Sequence, residues 1–209
     1  MTVPSRAART DGRALLMEAA WQELAEHGAA GLSLRAVARR AGVSHAAPKH
    51  HFENRTGLLT ALAVVGFGRL WERLEAVAES RPAQPSDRVA ALGRAYLDFS
   101  LAEPVMFEVM FGSEPLREDD PELAEQRKSA FGILNYLVSG AEPGSAAGHR
   151  PVPVESLIAW SMIHGLVMLT RDGSLQRVTG SENPAETAEV ARRLTTAFTE
   201  LLGVIVAAK

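Results

Sequence analysis

From one end of this 209-residue chain to the other, apolar residues recur three or four positions apart, interrupted by glycine, proline and serine. They do not alternate. The first spacing puts side chains on one face of a helix, whereas alternation would mark a half-buried strand. Between Asp11 and His27, Leu16, Ala20 and Leu24 repeat every fourth residue with Leu15 and Ala19 beside them, and Gly28 follows as a terminator. Ser33 can cap a second helix in which Leu34, Val37, Ala38 and Ala41 share a face and which Gly42 ends. Gly42-Val43-Ser44 separates it from a third stretch, His45 to Phe52. Two short helices joined by a tight glycine-containing turn are the sequence pattern of a helix-turn-helix. A long fourth helix is predicted from Arg55 to Glu79, its core stripe being Leu59, Leu62, Ala63, Phe67, Leu70, Leu74 and Val77, ended by Pro82 and Pro85. Further helices are predicted over 86–103, 104–111, 121–140, 153–171 and 184–207, with proline or serine near most of their starts. Residues 141–153 and 172–183 read as glycine-rich loops. The fold class is all-α, divided into an N-terminal three-helix domain over 1–57, whose first nine residues form a disordered arm, and a helical domain over 58–209.

Several function classes are set aside at once. The longest uncharged stretch, Ser156 to Thr170, has 15 residues and contains His164, short of the roughly 20 apolar residues of a membrane span. No apolar run follows Arg6, Arg9 and Arg13 to serve as a secretory leader, so the expected location is the cytoplasm and no membrane partner is expected. With no cysteine, disulfide frameworks, thiol nucleophiles and cysteine-held metals are excluded. There is no G-x-S-x-G elbow, no H-E-x-x-H and no phosphate-cradling glycine loop, so no catalytic residue, metal site or cofactor is expected. The net charge of −3 conceals an asymmetry. Residues 1–60 hold eight Lys/Arg against five Asp/Glu, a balance of +3, which leaves −6 for the rest, and four of the six histidines also lie in this first part. A basic end on an acidic chain points to an anionic partner, nucleic acid first.

A helix that enters the major groove must present small or polar side chains outward, with donors placed for flanking phosphates. Ser44, His45, Ala46, Ala47, Lys49 and His50 meet that requirement: the alanines let the backbone approach and can touch a thymine methyl, while the others can donate to base edges or phosphates. Val43 and Phe52 would face inward. Ser33, with Arg35 beside it, opens the second helix, and Arg55 and Thr56 open the fourth, where hydroxyls, cations and free amides suit phosphates. His51 reads as structural, packed or capping beside the fourth helix, ahead of a base contact. Arg39 and Arg40 read as solvated or loosely phosphate-facing. Pro48, four residues after Ser44, removes the first intrahelical bond if Ser44 caps, so a shifted or tightened first turn is expected.

These residues resemble a known family. Leu15, Leu16, Leu24 and Gly28, then L-S-L-R-A-V-A-R-R-A-G-V-S from Leu32 to Ser44, then A-P-x-x-H-F-x-N-R-x-x-L-L from Ala47 to Leu59, look like the amino-terminal domain of TetR/AcrR transcriptional regulators. Where that family commonly has a phosphate-bonding tyrosine, this chain has Lys49, which would serve the phosphate as a point charge. The resemblance implies a homodimeric, ligand-responsive regulator, a repressor of a pseudo-palindromic double-stranded DNA operator. A second resemblance lies in the carboxy-terminal part. Ala95 to Phe99, P-x-M-F-x-x-M-F-G from Pro104 to Gly112 and W-x-x-x-H-G-L-x-x-L-x-x-D-G from Trp160 to Gly173 look like the ligand-binding domain named for its Trp-His-Gly motif.

Large adaptable side chains, Met106, Phe107, Met110 and Phe111 with Trp160, His164 and Met168, are the candidate lining of an apolar effector site, the same spacing also being that of plain core. His164 would bond the ligand or a backbone carbonyl. Leu194, Ala197, Phe198, Leu201 and Ile205, with Ile163 and Val167 on the Trp160 helix, suit a helix-pair interface across a two-fold axis. An apolar molecule entering between the 104–111 segment and the Trp160 helix would favour a conformation in which the fourth helix holds the two readers at the wrong separation. The rival reading is a small-molecule-binding helical protein whose reader no longer recognises DNA, the features that favour it being Pro48 and Lys49.

Overall fold

Four helices in this chain begin where a side chain satisfies their first free amides. The Ser33 hydroxyl accepts from the Ala36 amide at 3.2 Å and opens α2 (Leu34–Arg40). The Asn54 side-chain oxygen accepts from the Gly57 amide at 2.9 Å and opens α4 (Arg55–Glu79). The Asp120 carboxylate accepts from Glu122 and Leu123 and opens α7 (Pro121–Ser139). Asn183 accepts from the Glu186 amide while the Glu186 carboxylate reaches back to the Glu182 amide, and these open α10 (Pro184–Ala207). The computed structural model describes residues 6–80, 85–139 and 152–207, with side chains for 12–80, 87–137 and 152–201. The other helices are α1 (Arg6–Gly31), α3 (Ala47–Phe52), α5 (Pro85–Ala102), α6 (Pro104–Phe111), α8 (Val154–Arg171) and α9 (Ser174–Thr179). The described residues include no strand.

Two contact units divide the chain. The first runs to Phe67 and takes in 103–126; the second holds 68–102 and the residues from Arg127 onward. It therefore extends along α4 past the boundary expected at residue 57 and includes α6. In this first unit α1 packs on α2, α3 and α6. Leu16, Ala20 and Leu24 of α1, Val37 and Ala38 of α2 and Leu58, Leu59 and Leu62 of α4 are fully buried, each leucine contributing about 1.5–3 kcal/mol by its removal from water. In the second unit α5, α8 and α10 pack pairwise, with α9 against α8 and α10. Gly93 brings α5 and α10 close, since a Cβ there would lie 2.8 Å from the Thr195 methyl. Thr195 and Thr199, both buried, satisfy their hydroxyls on carbonyls one turn back.

Some boundaries differ from the sequence expectation. Residues 6–9, expected in the arm, are helical in α1, Ala7, Ala8 and Arg9 being strong helix formers; residues 1–5 lie outside the described residues, as does Pro82. The backbone breaks at Gly28 (φ 69°, ψ 175°), where termination was expected, and one more helical turn follows to Gly31. Helix α3 begins at Ala47 rather than His45, with Pro48 in its first turn, where the missing amide costs nothing. The 172–183 segment is not all loop: α9 lies within it, its entry fixed by the Asp172 carboxylate on the Ser174 amide at 2.7 Å. Six residues are too few for a helical period to register.

Candidate nucleic-acid interface

The turn between α2 and α3 is made by Gly42, whose φ of 66° suits a residue without Cβ; the Val43 amide there bonds back to the Ala38 carbonyl at 3.1 Å. Pro48 and Phe52 are buried and anchor α3 from within. The other side carries Ser44, His45, Ala46, Lys49 and His50, all exposed, with Ala47 half-buried; Ser33 and Arg35 are exposed on α2. This is a small, polar, cationic face formed by the turn and the short helix that follows it, with no acidic side chain among the six residues from Ser44 to Lys49. Arg13 of α1 places its guanidinium over the Phe52 ring, 5.7 Å from the centroid. His51 sits beside α1: a Cβ on Gly12 would lie 3.5 Å from its Nε2. Burial, with the charges of Arg13 and His50 nearby, holds its pKa below the usual 6.5.

Two arginines have jobs within the protein. Arg40 donates from Nε to the buried Glu23 carboxylate at 2.7 Å and from Nη1 to Glu26 at 2.8 Å, which ties α2 to α1; the hydrogen bond from Arg40 is the main reason the Glu26 carboxyl titrates below its usual range. Arg55, expected at a phosphate, donates to the carbonyls of Ala29 at 2.6 Å and Leu32 at 3.0 Å and to the Glu114 carboxylate at 2.6 Å. These bonds fasten the start of α4 to the connection between α1 and α2, so the guanidinium acts as a brace within the protein. Thr56 is half-buried.

The seven residues expected around an effector fall in different units. Met106, Phe107 and Met110 are buried in the first unit, where Met106 and Met110 crowd Gly66 and Phe111 stands edge-on to Phe67, ring centroids 5.2 Å apart. There they act as core. Trp160, His164 and Met168 belong to the second unit. His164 Nδ1 is 2.8 Å from the Tyr96 hydroxyl of α5, and its ring stacks on Trp160, centroids 5.3 Å apart, with Phe131 edge-on to the indole. Burial lowers the His164 pKa, while burial raises that of Tyr96 against a smaller opposing effect of its hydrogen bond to Trp160. At neutral pH the cluster is therefore uncharged, and the phenol and the imidazole share one hydrogen bond whose direction follows the imidazole tautomer. Sequence reasoning named the Ala95 to Phe99 motif without linking Tyr96 to His164; a tyrosine in a helical run, one of only two in the chain, was the available signal.

Helix α8 turns a different face outward from the one expected. Val167 is fully buried and Ile163 lies against Gly93 of α5, because α8 needs its Ser156, Ala159, Ile163, Leu166 and Val167 stripe to pack on α5 and α10. Val154, Leu157, Trp160, Met168 and Leu169 are the large apolar residues that α8 leaves exposed. On α10, Leu201 and Ala197 are exposed and Leu194 and Phe198 half-buried. The Ile205 side chain lies outside the described residues.

With this geometry in hand the relatives can be placed. Residues 16–62, which hold most of α1, all of α2 and α3 and the start of α4, match the bacterial regulatory proteins of the tetR family. Residues 89–198 match the tetracyclin repressor-like C-terminal domain. The chain belongs to the TetR family. HTH-type transcriptional regulators Rv1816 of Mycobacterium tuberculosis and Mb1846 of Mycobacterium bovis are each 34% identical to it over 109 residues, 52% of this chain and 47% of theirs; the chain thus spans about half the length of the curated relatives it matches. A solved Rhodococcus protein of unknown function is 32% identical, covers 89% of this chain and 94% of its own, and superposes with a TM-score of 0.68. FadR of Bacillus subtilis, solved with stearoyl-CoA, shares the TetR fold at a TM-score of 0.61 and 19% identity, over 91% of this chain and 97% of its own. No helix of the described residues of this TetR-family chain is long and apolar enough to cross a membrane.

Proposed function

We propose that this chain is a sequence-specific, DNA-binding transcriptional regulator that works as a homodimer in the cytoplasm and is released from its operator by a small, largely apolar effector. The observation that carries the reading is the outer face of the turn into α3 and of α3 itself: Ser44, His45 and Ala46 of the turn and Lys49 and His50 of the helix are exposed, while Pro48 and Phe52 of α3 are anchored in the core. Small and donating side chains on a rigidly held helix are what base edges in a major groove require. Ser33 and Arg35 would hold flanking phosphates, Ala47 and Thr56 lying at the margin of the contact. Two readers related by a two-fold axis would read a pseudo-palindrome and double the phosphate contacts. The dimer face is assigned to Leu157, Met168 and Leu169 of α8 with Leu194, Ala197, Phe198 and Leu201 of α10, which the fold leaves at least partly exposed.

The effector site is assigned to the uncharged Trp160, His164 and Tyr96 cluster, with its aromatic faces and one polar edge. FadR of Bacillus subtilis, whose structure holds stearoyl-CoA, supports an apolar ligand in this fold, and the Trp-His-Gly motif supports placing it here. Whatever binds must prefer one of two conformations: a 100-fold loss of operator affinity needs about 2.7 kcal/mol of coupling.

Lys49 tests the reading. Lys49→Ala should weaken binding to all duplexes alike and reduce the salt slope by about 1 if the ammonium serves a phosphate. Relaxed preference at a single base position would make it a base reader instead. Unchanged affinity, slope and preference would remove Lys49 from the interface and favour the rival reading, a ligand-binding helical protein whose reader no longer recognises DNA.

A further inference from the structure

We propose that Arg117 is a positioning residue for DNA reading, acting through the junction between α3 and α4; the proposal rests on the assignment of α3 as the reader. The segment between α6 and α7, residues 112–120, lies in the same unit as α3 and the start of α4. From it the Arg117 side chain spreads one nitrogen, Nη2, over three acceptors of the junction: the Glu53 carboxylate at 2.9 Å, the Phe52 carbonyl at 3.3 Å and the Asn54 side-chain oxygen at 3.5 Å. The Arg117 backbone is fixed as well. Its amide donates to the buried Thr60 hydroxyl at 3.0 Å and its carbonyl accepts from the Asp120 amide at 3.1 Å.

The junction needs such a hold. Glu53 is the one described residue other than glycine with positive φ (65°, ψ −52°), and the Asn54 amide bonds to the Phe52 carbonyl across it at 2.8 Å, which makes a γ-turn of the rare and strained hand. Strain of this kind persists only where the surroundings over-determine it. Gly57 is shaped for the same contact: a Cβ there would lie 2.0 Å from the Phe52 carbonyl oxygen and 2.8 Å from Arg117 Nη2. Three residues before Arg117, Glu114 holds Arg55, and Arg55 holds the Ala29 and Leu32 carbonyls. One segment therefore braces the connection between α1 and α2 through Arg55 and the connection between α3 and α4 through Arg117. The planar guanidinium fixes the direction of the two N–H bonds of Nη2, which the freely rotating ammonium of a lysine on its flexible stem would not.

The test compares wild type, Arg117→Ala and Arg117→Lys on the duplex that wild-type protein enriches from a random pool and on a scrambled duplex, together with amide exchange at Asn54 and Gly57. The expected result for Arg117→Ala is a fall of about tenfold or more in the ratio of the two affinities, scrambled-duplex binding within about twofold of wild type, and faster exchange at both amides; Arg117→Lys should fall between the two. A merely structural role would lower both affinities together. An unchanged ratio in folded Arg117→Ala overturns the proposal, as does an unchanged ratio in Arg117→Lys should the alanine variant fail to fold. If wild type enriches no sequence, the reading of α3 fails, and exchange alone decides the hold on the junction: unchanged exchange at Asn54 and Gly57 overturns it.

Discussion

Arg40, Arg55 and Arg117 show how a cation on a DNA-reading unit is assigned by its partners rather than by its position. Each is bonded to carboxylates or carbonyls of its own unit, whereas Lys49 and Arg35 point outward from exposed positions. Histidine divides in the same way. His51 and His164 are packed and titrate below 6.5, so the unfolded chain takes up protons before the folded one. The stability they contribute is complete above pH 6.5 and is lost as pH falls through their lower folded values. Thermal unfolding followed from about pH 8 to about pH 5 should show a fall in midpoint at the acid end, and His164→Gln should make that fall shallower; an identical slope in the variant would mean that His164 protonates without cost.

At the scale of elements, much of the fold was legible. The extents of α4, α6 and α10 follow from periodicity and flanking proline, and the Ser33 cap and the Gly42 turn from residue chemistry. What the sequence did not disclose depends on contacts between residues far apart in the chain. Arg117 meets residues more than 60 positions earlier, and Tyr96 meets His164 across 68; no local pattern encodes either pair. The outward face of α8 was misassigned for a related reason. Its apolar residues surround the helix, so only the presence of both α5 and α10 shows that Ile163 and Val167 turn inward. The α5–α10 contact offers a direct check. Thr195 is β-branched and its hydroxyl is held by the Ala191 carbonyl, so it cannot yield to a new methyl group. Gly93→Ala should cost about 1–2 kcal/mol net of the gain in helix propensity, lowering the unfolding midpoint by about 2–4 °C per kcal/mol. A raised midpoint would show that the helices can separate freely there.

For the whole molecule, the chain passes between the unit that holds α3 and the unit that holds the Trp160 cluster at three places, within α4 after Phe67, before Glu103 and within α7 after Gln126. The dimer face assigned to α8 and α10 would set the spacing of two readers, and the operator should reveal it. The deciding measurement is selection of random-sequence duplexes by purified protein, free of bound small molecules, at near-physiological salt. Enrichment of a pseudo-palindrome whose half-sites lie about one helical turn, or a multiple of it, apart is the expected result. Retention of all sequences alike, or of none, would contradict a dimeric, sequence-specific regulator.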